Sequence, residues 1–231
     1  MSIGLVVPAA GVGSRLGHAR PKALADLGGE ALLRRTLGRF VGVADIVHVV
    51  IAAPYGLVAE VRVAAAGLEW SSCGVDVIEG GSSRQDSVRR SLEALRPGIQ
   101  TVLVHDAARP LISRQTIVAV LDAARRTGAA TAATRSSDSV RKDSSDGWTE
   151  IVDRSQVWLV ETPQAFAFEL LCSAHRDAAA AGMSATDDAA LIERCGAGRV
   201  AMVQRVGLNF KVTTQEDLRM AALLIDRGAE I

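Results

Sequence analysis

Cationic side chains stand beside glycine-rich or small-residue turns at several separate points of this 231-residue sequence, a pairing that serves phosphate chemistry. The stretch "VVPAAGVGSRLG" (Val6–Gly17) ends an apolar run at a proline and continues into two alanines and three glycines. Small residues in the loop Ala9–Gly17 let successive backbone amides approach an anion and form a nest for phosphate oxygens. Arg15 lies inside that loop and Lys22 follows in "RPKAL", where Pro21 restrains the backbone just before the amine. Arginine offers a fork to phosphate oxygens and lysine a compact point charge. A dinucleotide site would want GxGxxG and an acid closing the second strand. The spacing here is Gly11-x-Gly13-x-x-x-Gly17, and that strand ends Ile51-Ala52-Ala53-Pro54. A P-loop would need Gly-Lys-Ser/Thr, which the stretch lacks. The loop therefore reads as a triphosphate cradle or as a plain strand–helix turn with solvated cations.

Further chemistry follows other apolar runs. "VLVHDAARP" puts Asp106 just past a strand, with Arg109 three residues on. "EGGSSRQDSVRRSL" gives two glycines and then Ser82 and Ser83 ahead of an amphipathic helix, with Ser87 in its early turns. "FKVTTQEDL" places Lys211 on a strand before an expected capping box of Thr213 with Glu216. "SATDDAALI" reads as a helix start, with Thr186 followed by paired acids that would complement the helix dipole. Each has a dull explanation: a cap, a snorkelling lysine, N-terminal helix charge. Their concentration at one sheet edge is harder to explain that way.

The elements that must position these groups alternate along the chain. Ile3–Pro8, Ile46–Ala52, Val75–Glu79, Thr101–His105, Ala129–Ala133, Val157–Glu161 and Val200–Val203 read as short buried strands. Between them Leu33, Leu37, Phe40 and Val41 form one face of a helix, and Val88, Leu92 and Leu95 and then Ile117, Val120, Leu121 and Ala124 form others. The order predicts an α/β fold, a mostly parallel Rossmann-like sheet with helices on both faces and right-handed crossovers, in a single domain over 1–231. In open α/β sheets ligands bind beyond the carboxyl ends of the strands, which is where the loops above emerge. "SSDSVRKDSSDGWTEIVDR" (136–154) breaks the rhythm: Asp146-Gly147 suits a hairpin turn between flanks Ser139–Lys142 and Trp148–Val152. A lone two-stranded hairpin is marginal in water, so the arm is expected to pack on a second copy and build a homodimer.

Composition limits the partners. The formal net charge is zero, so no general basic field gathers nucleic acid or anionic membrane. Aromatics make up 3% of residues, which argues against a base-stacking platform for single strands. Cys73, Cys172 and Cys195 are odd in number and far apart, with no ligand spacing to the four histidines. The first apolar run is too short for a signal segment or a membrane span. A cytoplasmic enzyme is the expectation.

Taken in order, "PAAGVGSRLG…RPK", "GGSSRQDSV", "VHDAARP", "VDRSQVWLVETPQAF", "TDDAALIE" and "NFKVTTQEDL" resemble the 2-C-methyl-D-erythritol 4-phosphate cytidylyltransferase family across essentially the whole chain. The resemblance implies transfer of CMP from CTP to a small polyol phosphate, methylerythritol phosphate, with release of pyrophosphate and with Mg²⁺. By the same resemblance, the amides of Ala9, Ala10 and Gly11 with Arg15 and Lys22 hold the triphosphate, and Gly81, Ser82 and Ser87 recognise cytidine. Asp106, Ala107, Arg109 and Thr186 address the polyol and the magnesium-bound phosphates, Asp106 being the metal-side carboxylate. Lys211 approaches the α-phosphate, and Ser139 and Arg154 reach from the arm to the substrate phosphate. Serine at 139 and arginine at 141 stand where the family commonly has threonine and lysine. The neighbouring expectation is a ribitol-5-phosphate cytidylyltransferase or another sugar-phosphate nucleotidyltransferase. From other classes, an NAD-dependent oxidoreductase is disfavoured by the missing second-strand acid, and a nucleotide sensor has no need of cations on four segments.

Overall fold

The computed structural model describes residues 2–11, 21–70, 73–145 and 147–226. Arg15, Gly13, Gly17 and Asp146 lie outside the described residues. In chain order the elements are β1 (Ile3–Pro8), β2 (Asp26–Leu27), β3 (Glu30–Ala31), α1 (Leu32–Gly38), β4 (Ile46–Ala53), α2 (Val58–Ala65), β5 (Gly74–Glu79), α3 (Arg84–Ala94) and β6 (Thr101–Val104). They continue as α4 (Arg114–Thr127), β7 (Ala129–Arg135), β8 (Val140–Asp143), β9 (Thr149–Val152), β10 (Trp158–Ala167), α5 (Phe168–Ala180), α6 (Asp188–Arg194), β11 (Ala201–Gln204) and α7 (Gln215–Asp226).

Seven strands form one sheet in the order β11-β7-β10-β6-β1-β4-β5. β1 sits at its centre because an apolar run without alternation is stable where both faces are covered. Its Ile3, Leu5 and Val7 enter one core with α1, α2 and α4, while Val6 enters the opposite core with α3, α5 and α6. Helices therefore cover both faces. β1 pairs in parallel with β4 and β6, and β4 with β5, so β1, β4, β5 and β6 all end at one edge.

β10 departs from the sequence expectation. The apolar pattern predicts a short buried strand over Val157–Glu161, but the strand runs to Ala167 and lies antiparallel to both β6 and β7. Its ladder to β7 shifts register between Val160 and Gln164, and Thr162 in that irregular stretch turns its hydroxyl to the end of β6.

The helix starts are specified locally. Ser83 caps α3 by accepting from the Asp86 amide, and Ser113 caps α4 by accepting from the Thr116 amide. Gly128 closes α4 in the left-handed region at φ 84°, where a Cβ would be strained. The expected Thr213/Glu216 box is displaced by one residue. The Asp217 carboxylate accepts from the Thr213 and Thr214 amides, and the Asp217 amide donates to the Thr214 hydroxyl. Lys211 lies not on the expected strand but in an irregular stretch between β11 and α7. That stretch is fixed by the Val212 amide, which donates to the Ala108 carbonyl, and by a third core of Leu27, Leu32, Leu111, Val212, Leu218 and Ala221 among others, which seats α7.

β8 and β9 pair antiparallel in a separate two-stranded sheet, Val140 opposite Val152 and Asp143 opposite Thr149. Trp148 and Ile151 are each 77% exposed on it.

Candidate active site

The carboxyl ends of β1, β4, β5 and β6 open onto a cleft of about 720 Å³. Ala9, Ala10 and Gly11 line its floor, where the Ala9 amide, expected to face the phosphates, instead donates to the Ala52 carbonyl at 2.8 Å. Lys22 stands on a short 3-10 turn behind Pro21. Gly80, Gly81, Ser82 and Ser87 line one wall, and Asp106, Ala107 and Lys211 another. Segments from opposite ends of the chain thus meet around one space large enough for a nucleotide.

The wall from β5 to α3 is held by its own hydrogen bonds. Ser87 Oγ accepts from the Gly81 amide at 3.0 Å and donates to the Ser83 carbonyl at 2.8 Å. Ser87 is buried, so its hydroxyl shapes the turn from within. Gly80 permits a close approach: a Cβ there would lie 2.6 Å from Ala10 Cβ and 3.0 Å from the Ala53 carbonyl oxygen. Gly80→Ala therefore pushes the Ala9–Gly11 floor out of place. The expected result is at least about a tenfold rise in nucleotide Kd, read by titration calorimetry, in a folded protein. Unchanged affinity would mean the floor yields at no cost.

Asp106 is the electrostatic centre. Lys211 Nζ lies 2.8 Å from Oδ2, Arg84 Nε 3.1 Å from Oδ1 and Arg109 Nε 3.7 Å from Oδ2. Burial by itself would raise this carboxyl, but Arg84, then Lys211 and Arg109, overcome it and hold Asp106 far below the usual range. It is an ionised carboxylate at any working pH. Its amide donates to Thr162 Oγ1 at 3.0 Å, and that hydroxyl donates in turn to His105 Nδ1 at 3.2 Å. His105 Nε2 donates to the Arg109 carbonyl, so both ring nitrogens are occupied by the neutral form. Burial drives that imidazole down to about 4.

Nothing in the sequence singles out Arg84. Besides Asp106 it reaches Asp188, Nη1 to Oδ2 at 2.8 Å, and Asp188 Oδ1 lies 3.0 Å from His175 Nε2. The acids at 187 and 188 thus divide their work. Asp187 caps α6 through the Ala190 amide, whereas Asp188 is a buried ion-pair partner and not a dipole-complementing surface charge. Tyr55, Ser83, Arg90 and Thr213 also line the cleft, beyond the residues expected there, and Tyr55, 86% exposed, stands on its rim after β4. A tyrosine in the turn Pro54–Gly56, just past a strand end, is the weak signal that the sequence offers for it.

Other expected site residues fall elsewhere. Arg109 does not line the cleft, because its Nη1 donates to the Asn209 carbonyl at 2.8 Å. Thr186 is exposed outside it. Ser139 and Arg154 are exposed on and beside the arm, where Arg154 Nη1 donates to the Ser137 carbonyl at 2.7 Å. Among the described residues no cluster of three His, Cys, Asp or Glu could hold a metal, and no helix is long and apolar enough to cross a membrane.

A mostly parallel sheet with cations and glycine-rich loops gathered at its carboxyl edge defines a nucleotidyltransferase of Rossmann-like fold. The family model for 2-C-methyl-D-erythritol 4-phosphate cytidylyltransferase matches residues 3–227, and the chain belongs to that family. A relative of that description from Deinococcus radiodurans is 42% identical over 95% of this chain and 88% of its own. One from Thermus thermophilus is 40% identical over 97% of each. Among solved structures, the Thermus thermophilus cytidylyltransferase superposes with a TM-score of 0.78 at 36% identity, over 98% of this chain and 100% of that one. A 4-diphosphocytidyl-2C-methyl-D-erythritol synthase from Anaerococcus prevotii gives 0.86 at 27% identity, over 98% and 99%.

Proposed function

We propose that the chain transfers CMP from CTP to the phosphate of 2-C-methyl-D-erythritol 4-phosphate and releases pyrophosphate. The observation that carries this reading is the convergence of Lys22 and Lys211, from opposite ends of the chain, on one cleft floored by Ala9–Gly11. The attacking group is a phosphate oxygen, anionic at neutral pH, so no strong general base is required. The obstacle is charge: two anions must meet in line at the α-phosphorus while negative charge builds on the leaving pyrophosphate. Preorganised cations in a partly enclosed cleft lower that barrier. Lys22, with Arg15, serves the leaving phosphates, and Lys211 the α-phosphate. Gly81 and Ser82 offer backbone and hydroxyl groups to the cytidine. Both oxygens of the ionised Asp106 are already paired with Arg84 and Lys211, so Mg²⁺ would be held chiefly by phosphate oxygens and water, with Asp106 beside it on the cleft wall. When bound, the ion would neutralise phosphate charge beside that carboxylate. The decisive experiment measures pyrophosphate release with each nucleoside triphosphate against methylerythritol and ribitol phosphates. CTP with the methylerythritol substrate is expected to be fastest, and a preference for ribitol phosphate would reassign the acceptor.

The arm supplies the rest of the proposal. Trp148 and Ile151 on the hairpin, with Leu159 and Val160 at its base, leave apolar surface that a second copy would bury. In that homodimer, Ser139 and Arg154 would reach the neighbour's polyol phosphate. Mixing inactive Lys22→Ala and Arg154→Ala variants should then restore part of the activity, because one hybrid site keeps both cations. No recovery despite verified subunit exchange would place Arg154 outside the neighbour's site.

A further inference from the structure

Arg84 is the first residue of α3, the position where a helix dipole opposes a cation. Two buried carboxylates from distant segments offset that cost, Asp106 after β6 and Asp188 at the start of α6. Asp188 is backed on its far side by His175, so Arg84, which lines the cleft between Ser83 and Asp106, is held there by two fixed carboxylates. Its Nη2 is buried and makes no hydrogen bond. Lys211 is different: its side chain is 40% exposed, and its ammonium rests on the other oxygen of Asp106.

These contacts set up a conflict. A lysine that serves the α-phosphate must leave a 2.8 Å charge-assisted hydrogen bond to a buried carboxylate. A buried carboxylate deprived of its counter-ion is strongly destabilised. We infer that Arg84 is a positioning residue, the standing counter-ion of Asp106 that permits Lys211 to move from its resting ion pair to the nucleotide. With Arg84 at 3.1 Å and Arg109 at 3.7 Å, Asp106 remains compensated after Lys211 departs. Without Arg84, Lys211 becomes the principal partner of Asp106 and is held back from the phosphates. The same guanidinium joins the nucleotide-facing β5–α3 turn to the α6 start, so it also sets where Asp106 sits relative to both.

This inference rests on the reading of Lys211 as the α-phosphate cation, and a double-variant cycle separates the two. Arg84→Met is measured alone and in the Lys211→Ala background, with kcat and KM for CTP determined and folding checked by circular dichroism. The expected result is a fall in kcat of about tenfold or more in the native background, a KM for CTP changed less than about threefold, and a loss below about threefold in Lys211→Ala. Arg84→Lys keeps a charge on Asp106 and should recover part of kcat. Equal losses in both backgrounds, or none in either, would overturn the role of Arg84. Native turnover in Lys211→Ala by itself would instead overturn the reading of Lys211. Should Arg84→Met not fold, Arg84→Lys carries the same cycle, with a smaller kcat loss that again disappears in Lys211→Ala.

Discussion

Lys211→Ala is expected to lower kcat by about a hundredfold or more, the scale for losing one preorganised donor at a developing charge. The KM for CTP should change only a few-fold, because on the proposed reading Lys22 and the Ala10 and Gly11 amides would still hold the triphosphate. Stability should hardly change. The side chain is substantially exposed, and Asp106 keeps Arg84 and Arg109 when the ammonium is removed. Single-turnover pyrophosphate release with the native and variant proteins at saturating CTP separates the chemical step from binding. A variant that turns over near the native rate would remove Lys211 from the reacting centre. A raised KM with intact kcat would make it a ground-state phosphate ligand. Lys22→Ala tests the leaving side in the same assay and should lose a comparable factor.

What the sequence discloses about these groups, and what it conceals, follows from the range of the forces involved. β1 is announced by six consecutive residues, and α3 and α4 by apolar spacing with a serine in front, because periodicity and capping are local. The direction of β10 is not local. An apolar run marks a strand, but its neighbours in the sheet decide whether it lies parallel or reversed. The capping of α7 shows a finer ambiguity: Thr213 with Glu216 and Thr214 with Asp217 both fit the spacing, and the fold selects the second. Asp106, Lys22 and Lys211 are legible because they follow glycines or strands at the binding edge. Arg84 is not, since its partners lie 22 and 104 positions away and a helix-start arginine otherwise looks like solvated charge. Asp188 misleads for the same reason, its burial depending on His175 and Arg84 from other helices.

His105 carries the second large expected effect, on stability against pH. Its ring lies fully buried between Phe40, at a centroid distance of 4.9 Å, and the Asp106–Thr162 contacts. Burial lowers its pKa from 6.5 to about 4, with the nearby Arg109 and Arg84 acting in the same direction and Asp106 and the Arg109 carbonyl partly opposing them. Above the unfolded value the ring is neutral in both states and contributes no pH dependence. As pH falls from 6.5 towards about 4, the unfolded chain takes up a proton that the folded chain refuses, so the unfolding free energy declines. Each pH unit across that window costs about 1.4 kcal/mol, which gives about 3 kcal/mol in all. His105→Gln keeps an amide donor for the Arg109 carbonyl but has nothing to titrate. Urea unfolding at about pH 7 and about pH 4.5 should show a steeper loss for the native protein, the difference approaching that amount. Parallel losses in the two proteins would mean that the ring accepts its proton inside the fold. The Thr162 hydroxyl proton would then rotate aside and Nδ1–H would donate to Oγ1, which has a second lone pair to keep accepting from the Asp106 amide, so the cleft wall would hold while the pH dependence from His105 vanished.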